Sequence, residues 1–454
     1  MKLVVAIALV ALVLVAGSVG STHASFTASV AVAGNGFRVA TVEDTFDVQP
    51  GGAVRVGTTT PVATGSGQNL ALDLGFVPSA RAFTTVFTVR NRTSSTQTAV
   101  LGTAALPAQV AGVAFASTGT TTAVLAAGAS AAVTVTTSPT TAGRGSGLLR
   151  LRIGGSTWLY RDYPISLDAA PEAPMSTSVA ARAAGRLALT WSASATTNVA
   201  GYEIWRANGG GAAARVATDV TGTSWTDTAT TDGVAYTYTV RAVSSGTPSF
   251  TSLDGPGAAA TADATPPAVP TSVSIPGGWV NLANRAAVTV QVVLPSGSAA
   301  SDVVTITAGG VSKTVAAPAG AGTVSTTFDL SGSADGSVSL SASATDVAGN
   351  VSGSRSGSAA KDTVAPGAPT ATYTDSKTNV ADVISGAAES GATVRATQTA
   401  PSASGPYSAT ATGGAYSVSV GPGGKDVTVT YQLTATDSAG NTSSTTTLTA
   451  LSSR

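Results

Sequence analysis

The sequence predicts an all-β protein, a string of four antiparallel β-sandwich domains that follows an N-terminal signal peptide. Apolar and polar residues alternate with period two in short runs, the pattern of strands with one buried and one solvated face. Turn residues (Gly, Pro, Asn and Asp) interrupt these runs about every eight to twelve residues, a spacing typical of sandwich folds. No segment of useful length has the period of an amphipathic helix.

Residues 1–24 have the pattern of a secretory signal peptide. Lys2 supplies a positive charge, an apolar run follows over 3–16, and Thr22-His23-Ala24 offers the small residues that a signal peptidase requires. An uncleaved anchor is the alternative, because the apolar stretch is close to the length that spans a bilayer. The small-residue ending favours cleavage, and we therefore expect a secreted chain without membrane attachment.

The clearest period-two runs predict individual strands along the rest of the chain. In each run the alternate positions are apolar (Leu187, Leu189 and Trp191 are an example), and the positions between them are small or polar. The predicted strands are 147–153, 186–191, 236–242, 288–294, 338–344 and 427–435.

Three proline-marked joints divide these strands into domains. The joints are 171–174, 266–270 and 365–369, and proline at such places stiffens a short linker because it fixes φ and lacks an N–H. They leave an N-terminal β-sandwich domain at 25–168 and further domains at 171–262, 266–363 and 366–454. Each is long enough to form a sandwich core.

Composition excludes most catalytic chemistry. The chain has no cysteine and one histidine, His23, which lies in the predicted leader. Thiol nucleophiles, disulfides, histidine-dependent triads and most transition-metal sites are therefore excluded from the mature chain. Carboxylate pairs remain, but the four glutamates are dispersed and suggest no shared cleft; they are Glu43, Glu172, Glu203 and Glu389. We predict a protein that is not an enzyme and needs no cofactor or metal.

Charge is low and balanced. Lys and Arg together number 23, as do Asp and Glu, so no field of one sign covers the chain and nucleic acid is an unfavourable partner. Glu43, Asp44 and Asp47 form the densest acidic cluster, and we expect it in a loop.

The second domain resembles a fibronectin type III domain over its whole length. The resemblance rests on the runs LALTW (187–191), GYEIWR (201–206), TSWTDT (223–228) and YTYTVRAV (236–243). It implies that Trp191 is the core tryptophan between two sheets, that Tyr202 is structural, and that Tyr236 forms a tyrosine corner. The following loop lacks Arg-Gly-Asp, so adhesion of the integrin type is not expected.

The third and fourth domains are similar to bacterial immunoglobulin-like repeats of surface proteins. Each ends in Ala-Thr-Asp-x-Ala-Gly-Asn, first with Asp346 and Asn350 and then with Asp437 and Asn441. These side chains could contribute oxygen ligands to calcium near a domain joint, but calcium takes six to eight oxygens and each copy offers about two. Asp, Gly and Asn are also the residues of tight turns, and we favour that interpretation.

The first domain has a weak N-terminal resemblance to exported matrix proteins of the TasA/camelysin type, over residues 24–42. The resemblance implies self-association through residues 25–33, with a strand added to a neighbour's sheet. The remainder of the domain is similar to a generic surface sandwich, without the longer insertions of that group, so fibre formation is an alternative rather than the main prediction.

Two groups of residues are candidates for ligand binding. Trp205 and Trp225 could form an exposed platform for a sugar ring, or they could cover an outer sheet face or a domain joint. Arg150 and Arg152 lie two residues apart and must share a face, which could bind an anionic wall polymer or glycan; a solvated strand face is the simpler interpretation.

Together these observations predict a secreted, non-enzymatic bacterial surface or matrix protein that acts as a multidomain spacer and adhesion scaffold. Its expected partner is a cell-wall or extracellular glycan, or a surface protein. The alternatives are a carbohydrate-binding accessory protein of extracellular polysaccharide metabolism and a subunit of a biofilm-matrix fibre.

Overall fold

The computed structural model describes residues 31–32, 35–36, 42–50, 62–64, 70–138, 140–157, 159–376 and 380–453. The predicted leader lies outside them, and so does the proposed self-association segment 25–33 except for a short strand at its end.

The chain forms two compact units. Unit one comprises Met1–Pro174, Ala193–Glu203 and Arg241–Asp254; unit two comprises Met175–Ser192, Ile204–Val240 and Gly255–Arg454. We name four regions by the predicted bounds: region one (25–168), region two (171–262), region three (266–363) and region four (366–454).

Region one folds into two main sheets around an aromatic core. Its elements are β1 (Ala31–Val32), β2 (Asn35–Gly36), α1 (Val42–Thr45), β3 (Phe46–Pro50), β4 (Val62–Thr64), β5 (Ala71–Val77), β6 (Arg81–Asn91), β7 (Gln97–Ala105), β8 (Val110–Phe115), β9 (Thr122–Leu125), β10 (Ser130–Thr137), β11 (Gly143–Ile153) and β12 (Tyr160–Ala169). The strand orders are β3-β6-β10-β8 and β4-β5-β12-β11-β7-β9, with β1-β2 as a separate pair. The rings of Phe87 on β6 and Tyr163 on β12 lie 6.1 Å apart, so aromatic packing joins the two sheets.

Region two forms a three-stranded and a four-stranded sheet. Its strands are β13 (Thr177–Ala181), β14 (Leu187–Trp191), β15 (Val199–Asn208), β16 (Ala214–Val220), β17 (Ser224–Asp227), β18 (Ala235–Ser244) and β19 (Ala258–Thr261). The orders are β13-β14-β17 and β16-β15-β18-β19. On β18 the side chains alternate, since Tyr236, Tyr238 and Val240 are buried and the residues between them are more exposed.

Region three forms a three-stranded and a five-stranded sheet. Its strands are β20 (Ser272–Ser274), β21 (Trp279–Val280), β22 (Val288–Leu294), β23 (Val303–Ala308), β24 (Val311–Ala316), β25 (Gly322–Phe328), β26 (Gly336–Thr345) and β27 (Arg355–Lys361). The orders are β20-β22-β25 and β21-β27-β26-β23-β24. The inward residues of β22, which include Val288, Val290 and Val292, form one core with those of β23 and β26.

Region four repeats this plan with a three-stranded and a four-stranded sheet. Its strands are β28 (Thr372–Thr374), β29 (Asp382–Ala387), β30 (Thr393–Ala400), β31 (Ser404–Thr410), β32 (Ala415–Val420), β33 (Val427–Thr436) and β34 (Thr446–Ser452). The orders are β28-β29-β32 and β31-β30-β33-β34. Tyr416 and Tyr431 are buried in its core.

The all-β prediction is confirmed, since every strand predicted from alternation is a strand of the structure and 288–294 matches β22 at both ends. Two details differ. The pairs β5–β12 and β21–β27 run parallel, so the sheets are not purely antiparallel. The acidic cluster is not in a loop: Glu43 and Asp44 lie in helix α1, and Asp47 lies on β3. Within the described residues, no helix has the length and apolar character needed to cross a membrane.

Candidate functional site

The repeated Ala-Thr-Asp-x-Ala-Gly-Asn sequence forms the same turn in regions three and four. In region three, Asp346 Oδ1 accepts a hydrogen bond from the Asn350 backbone N at 2.8 Å, and Asp346 Oδ2 accepts one from Asn350 Nδ2 at 2.8 Å. Gly349 has φ of 92°, which a residue with a side chain rarely adopts. The three residues therefore fix the turn and the orientation of the Asn350 amide.

The amide of Asn350 also bonds to the preceding region. Its Nδ2 donates to the Asp263 carbonyl oxygen at 3.0 Å, and its Oδ1 accepts a hydrogen bond from the Ala184 backbone N at 2.8 Å. Asn350 is buried, and a buried amide whose donor and acceptor are both satisfied holds its partners in a defined position. We call this set of contacts the Asn clamp.

The second copy of the turn makes the same clamp. Asn441 Nδ2 donates to the Asp362 carbonyl oxygen at 2.9 Å, and Asn441 Oδ1 accepts from the Leu282 backbone N at 2.8 Å. Asp437 accepts hydrogen bonds from Asn441 N and Nδ2 at 2.8 and 2.9 Å, as Asp346 does in the first copy. The repeat is therefore a docking element between successive regions, in addition to being a turn.

A second recurring contact fixes the chain as it leaves each region. Asp232 accepts hydrogen bonds from Ala264 N at 2.7 Å and Thr265 Oγ1 at 2.6 Å. Asp335 accepts them from Thr363 N at 2.9 Å and Thr363 Oγ1 at 3.0 Å. Hydrogen bonds from backbone N–H groups, first among their causes, lower the pKa of both carboxyl groups. The linker is thus held by its own region before the next one begins.

The structure favours the turn interpretation of Asp346 and Asp437 over the calcium interpretation. Both oxygens of each carboxylate accept hydrogen bonds from the asparagine of the same turn. Over the described ranges, there is also no cluster of three or more acidic, histidine or cysteine side chains able to hold a metal ion.

Sequence reasoning found this repeat but missed its docking role. The partners of Asn350 and Asn441 are backbone groups of the preceding region, 87 and 79 residues upstream at the linker. Backbone partners leave no residue signature. The sequence offers one signal of these contacts, because an aspartate stands shortly before each of the last two proline joints. Asp263 precedes the joint at 266–270, and Asp362 precedes the joint at 365–369.

The joint that follows region one uses different contacts. Asn198 Oδ1 accepts from Ala142 N at 2.8 Å, and Asn198 Nδ2 donates to the Ala142 carbonyl oxygen at 2.8 Å. The rings of Phe76 and Phe250 stack with centroids 6.1 Å apart. An asparagine again bridges to backbone, but from a different loop, and an aromatic pair is added.

The structure places Arg150 in an ion pair instead of free in solvent. Its Nε and Nη2 each donate to Asp162 at 2.7 Å, and its guanidinium lies 3.7 Å from the centroid of the Tyr160 ring. The hydrogen bond to Asp162 raises the pKa of Arg150. Arg144 makes a similar but more exposed pair with Asp168. The charge of Arg150 is therefore balanced within its own sheet.

Arg152 differs from the other arginines of this part of region one. Arg161 Nε lies 3.5 Å from Glu43 Oε1, so that charge is balanced as well. Arg152 Nε is buried and has no hydrogen-bond acceptor among the described residues. Of the two arginines predicted to bind a ligand, Arg152 remains a candidate.

Trp205 and Trp225 do not form one platform. Trp205 lies on β15 of the four-stranded sheet, next to the inward residue Ile204, and so points to the outer face. Trp225 lies on β17 of the three-stranded sheet, opposite the buried Leu189, and so faces inward. Both are half-buried. A sugar ring could not stack on the two together.

The three residues predicted to be structural are all buried. Trp191 ends β14, and Tyr202 lies within β15, where its hydroxyl accepts a hydrogen bond from Ser194 N at 3.0 Å. The Tyr236 hydroxyl accepts one from Thr231 N, five residues upstream, at 3.0 Å.

The glutamates show no catalytic arrangement. Glu172 accepts a hydrogen bond from Ala80 N at 2.9 Å, Glu43 pairs with Arg161, and Glu389 is exposed in a turn. A cleft of about 410 Å³ in region one is polar and open, and two arginines flank its one carboxylate; it is lined by Asp47, Arg90, Asn91, Arg92 and Gly128. Glycoside hydrolysis needs two carboxyl groups at one bond, which this cleft does not offer.

Comparisons with known proteins show a likeness to tandem sandwich structures. No family model matches the chain, and no curated protein does. Among solved structures, a fibronectin type III-like protein from Clostridium thermocellum is 30% identical, with 20% of this chain and 91% of that one covered and a TM-score of 0.17. The first three fibronectin domains of chicken CNTN1 are 14% identical, covering 63% and 99%, with a TM-score of 0.28.

A third neighbour is an adhesin described as stabilised by Ca²⁺ and as helping an Antarctic bacterium reach out and bind ice. It is 18% identical, with 84% of this chain and 95% of that one covered and a TM-score of 0.26. At whole-chain TM-scores this low, the functional argument depends on the residues of the chain itself.

Proposed function

We propose that the chain is an exported, non-catalytic spacer of a bacterial surface or matrix, and that it carries an interaction surface for an extracellular glycan or a surface protein. The observation that carries this proposal is the repeated Asn clamp. A spacer must keep successive domains in a defined position, and a buried, fully hydrogen-bonded amide at each of two joints supports such a role.

Further support comes from what surrounds the clamps. Proline stiffens each linker, and Asp232 and Asp335 hold the linker to its own region. Several carboxylates of the described residues are used in turns, linkers and ion pairs, among them Asp346, Asp232 and Asp162, which supports a structural role. Exposed and stiff sandwich arrays are suited to an extracellular location.

The clamp can be tested by distance measurements between regions. Because the chain has no cysteine, paired spin labels can be introduced at the exposed positions Thr237, Ser339 and Thr447 through cysteine substitutions. We expect narrow distance distributions by double electron–electron resonance for the pairs 237–339 and 339–447. Asn350→Ala should broaden the first distribution and Asn441→Ala the second.

The matched control is Asn208→Ala, because Asn208 is an exposed asparagine at the end of β15. It should leave both distributions unchanged. If the clamp variants keep distributions as narrow as the unaltered chain, the clamps do not set the inter-region geometry and the spacer proposal loses its support.

A further inference from the structure

Tyr160 is an exposed aromatic ring that its neighbours hold in one orientation. One face of the ring lies against the Arg150 guanidinium, 3.7 Å from the ring centroid, and the side chain is 42% exposed. Arg150 is in turn fixed by two hydrogen bonds of 2.7 Å to Asp162. A bidentate pair beneath an aromatic ring removes most of the freedom of that ring.

Strand register places Arg152 beside the ring. Arg152 on β11 is directly opposite Tyr160 on β12, so the two side chains leave the same face of the sheet with Cβ atoms about 5 Å apart. Arg150 is opposite Asp162 on that face and opposite Gly102 on the other neighbouring strand. Because Gly102 has no side chain, the stem of Arg150 can lie across it. We call Tyr160, Arg152, Arg150 and Asp162 the Tyr160 platform.

The charges of the platform select its ligand. The positive charge of Arg150 is balanced by Asp162, and that of Arg144 further along the face is balanced by Asp168. Arg152 has no ion pair among the described residues, and its Nε lacks an acceptor. One unmatched guanidinium beside one fixed ring suits a sugar unit that carries one carboxylate next to its apolar face.

We propose that the Tyr160 platform binds a glycan that contains uronic acid residues. The C–H face of a pyranose ring stacks on the exposed face of Tyr160, and its carboxylate pairs with Arg152. Arg150 and Asp162 are positioning residues, which hold the ring and do not touch the sugar. The site combines Tyr160 with Arg150 and Arg152, the arginine pair predicted from sequence, and gives the two arginines different roles. It deepens the proposed glycan-binding surface and rests on that part of the proposed function, but it requires only region one and does not depend on the Asn clamps.

The physical advantage of this arrangement is preorganisation. A ring fixed before binding loses little conformational freedom when the ligand stacks on it, so more of the contact energy appears as affinity. The carboxylate contact adds a charge-assisted hydrogen bond, which is stronger than a neutral one.

The test uses the full chain and two probes, a hexamer of α-1,4-linked galacturonic acid and uncharged cellohexaose, with binding measured by isothermal titration calorimetry. We expect the acidic hexamer to bind more tightly. Tyr160→Ala and Arg152→Gln should each weaken it by about tenfold, the effect of losing one charge-assisted bond or one aromatic contact. Tyr160→Phe should retain binding, since the ring is kept.

The positioning role of Arg150 makes a separate prediction for the affinity of the acidic hexamer. Arg150→Lys keeps the charge but loses the planar fork, so affinity should fall for the acidic hexamer although Arg152 is unchanged. Arg144→Gln is the matched control, because it removes an exposed arginine of the same strand and should leave affinity unaltered. Thermal unfolding of every variant, followed by circular dichroism, separates loss of the site from loss of the fold.

Several results would each overturn the proposal. They are absence of binding to the acidic hexamer at about 1 mM, which corresponds to a free energy weaker than about 4 kcal/mol; full affinity in folded Tyr160→Ala; and equal loss in Arg144→Gln and Arg152→Gln, which indicates diffuse charge attraction. Tighter binding of cellohexaose would also contradict it, by assigning the platform to neutral glycans.

Discussion

Asp227 is the residue on which the interior of region two depends most. It is buried on β17 and accepts hydrogen bonds from Arg206 Nη1 at 2.7 Å, Tyr238 Oη at 2.8 Å and Ala229 N at 2.8 Å. Arg206 and Tyr238 belong to the other sheet, so one carboxylate joins the two sheets. Burial, followed by the hydrogen bond to Asp227, raises the pKa of Tyr238. This network of hydrogen bonds therefore links the two sheets of a chain that has no cysteine.

Replacing Asp227 by alanine should strongly destabilise this region. The change leaves the Arg206 charge and the Tyr238 hydroxyl without their partner, and breaking a buried pair in this way costs about 3–5 kcal/mol. Urea unfolding followed by tryptophan fluorescence measures the loss. Asp254→Ala is the control, since Asp254 pairs with Arg241 at a more exposed position and its loss should cost less than about 1 kcal/mol. Similar losses in both variants would contradict the argument.

Tyr416 should make region four sensitive to alkaline pH. Burial raises the pKa of Tyr416 to about 12 from its ordinary 10.0, and its hydroxyl donates to the Thr370 carbonyl oxygen at 2.8 Å. The folded state therefore keeps its proton at a pH at which the unfolded state loses it, so the stabilisation is complete below pH 10 and falls as pH rises towards 12. We expect the free energy of unfolding of the Tyr416→Phe variant to decline less steeply across this window than that of the unaltered chain. Equal slopes would contradict the assignment.

Only some roles of individual residues could be predicted from the sequence. The resemblance to a fibronectin type III domain implied structural roles for Trp191 and Tyr236, and both residues also stand at the apolar positions of period-two runs. The Arg206–Asp227 pair could not be predicted, because its two members lie on strands of different sheets and no local spacing links them. The ion pair of Arg150 with Asp162 could not be predicted for the same reason: Asp162 is on the next strand, and neither strand alone determines the pairing register.

At the scale of strands, alternation predicted well where one face is buried and the other solvated. It failed where strands are short or run parallel. Strand β21 has two residues, and it pairs in parallel with β27 about eighty residues later, which no local pattern can reveal. The acidic residues at 43–47 were expected in a loop because charge clusters favour solvent, yet Phe46 and Val48 carry that segment into the core.

Gly386 on β29 lies very close to the segment that precedes β28 in region four. A Cβ at this position of β29 would lie 1.9 Å from the Thr370 carbonyl oxygen, the group that accepts the Tyr416 hydrogen bond. Gly386→Ala must therefore displace the segment before β28, and we expect a loss of about 1–3 kcal/mol as for other overpacked sites. Gly367→Ala is the control, since a Cβ there would meet nothing within 4 Å. Thermal unfolding compares the two, and equal midpoints would show that the approach is not tight.

At the scale of the whole molecule, the prolines predict where the chain passes from one region to the next, but they do not indicate how the regions are held. That information lies in hydrogen bonds from Asn350 and Asn441 to backbone groups of the preceding region. The sequence does not reveal such partners, because the backbone of almost any residue can supply them.

The hydrogen bonds accepted by Asp346 and Asp437 predict that calcium does not change the stability of the chain. Both carboxylate oxygens of Asp346 and of Asp437 already accept hydrogen bonds, so a metal ion would have to displace them. Adding millimolar calcium or a chelator should shift the unfolding midpoint by less than about 1 °C, since a ligand stabilises a protein only by binding its folded form. Differential scanning calorimetry measures the midpoint. A rise that saturates with calcium concentration would show that the turns bind the ion after all.

The Asn clamp has an evolutionary consequence. Its asparagine bonds to main-chain N–H and C=O groups, which nearly every amino acid possesses, so most side chains of the preceding unit can change without breaking these hydrogen bonds. Asn281 is an exception, because its Nδ2 donates to the Ala439 carbonyl oxygen at 2.8 Å. Duplication, loss or shuffling of a gene segment that encodes one sandwich would yield a working joint at once, with no compensating mutation required. Arrays of this kind can thus lengthen or shorten by recombination while neighbouring sequences drift apart.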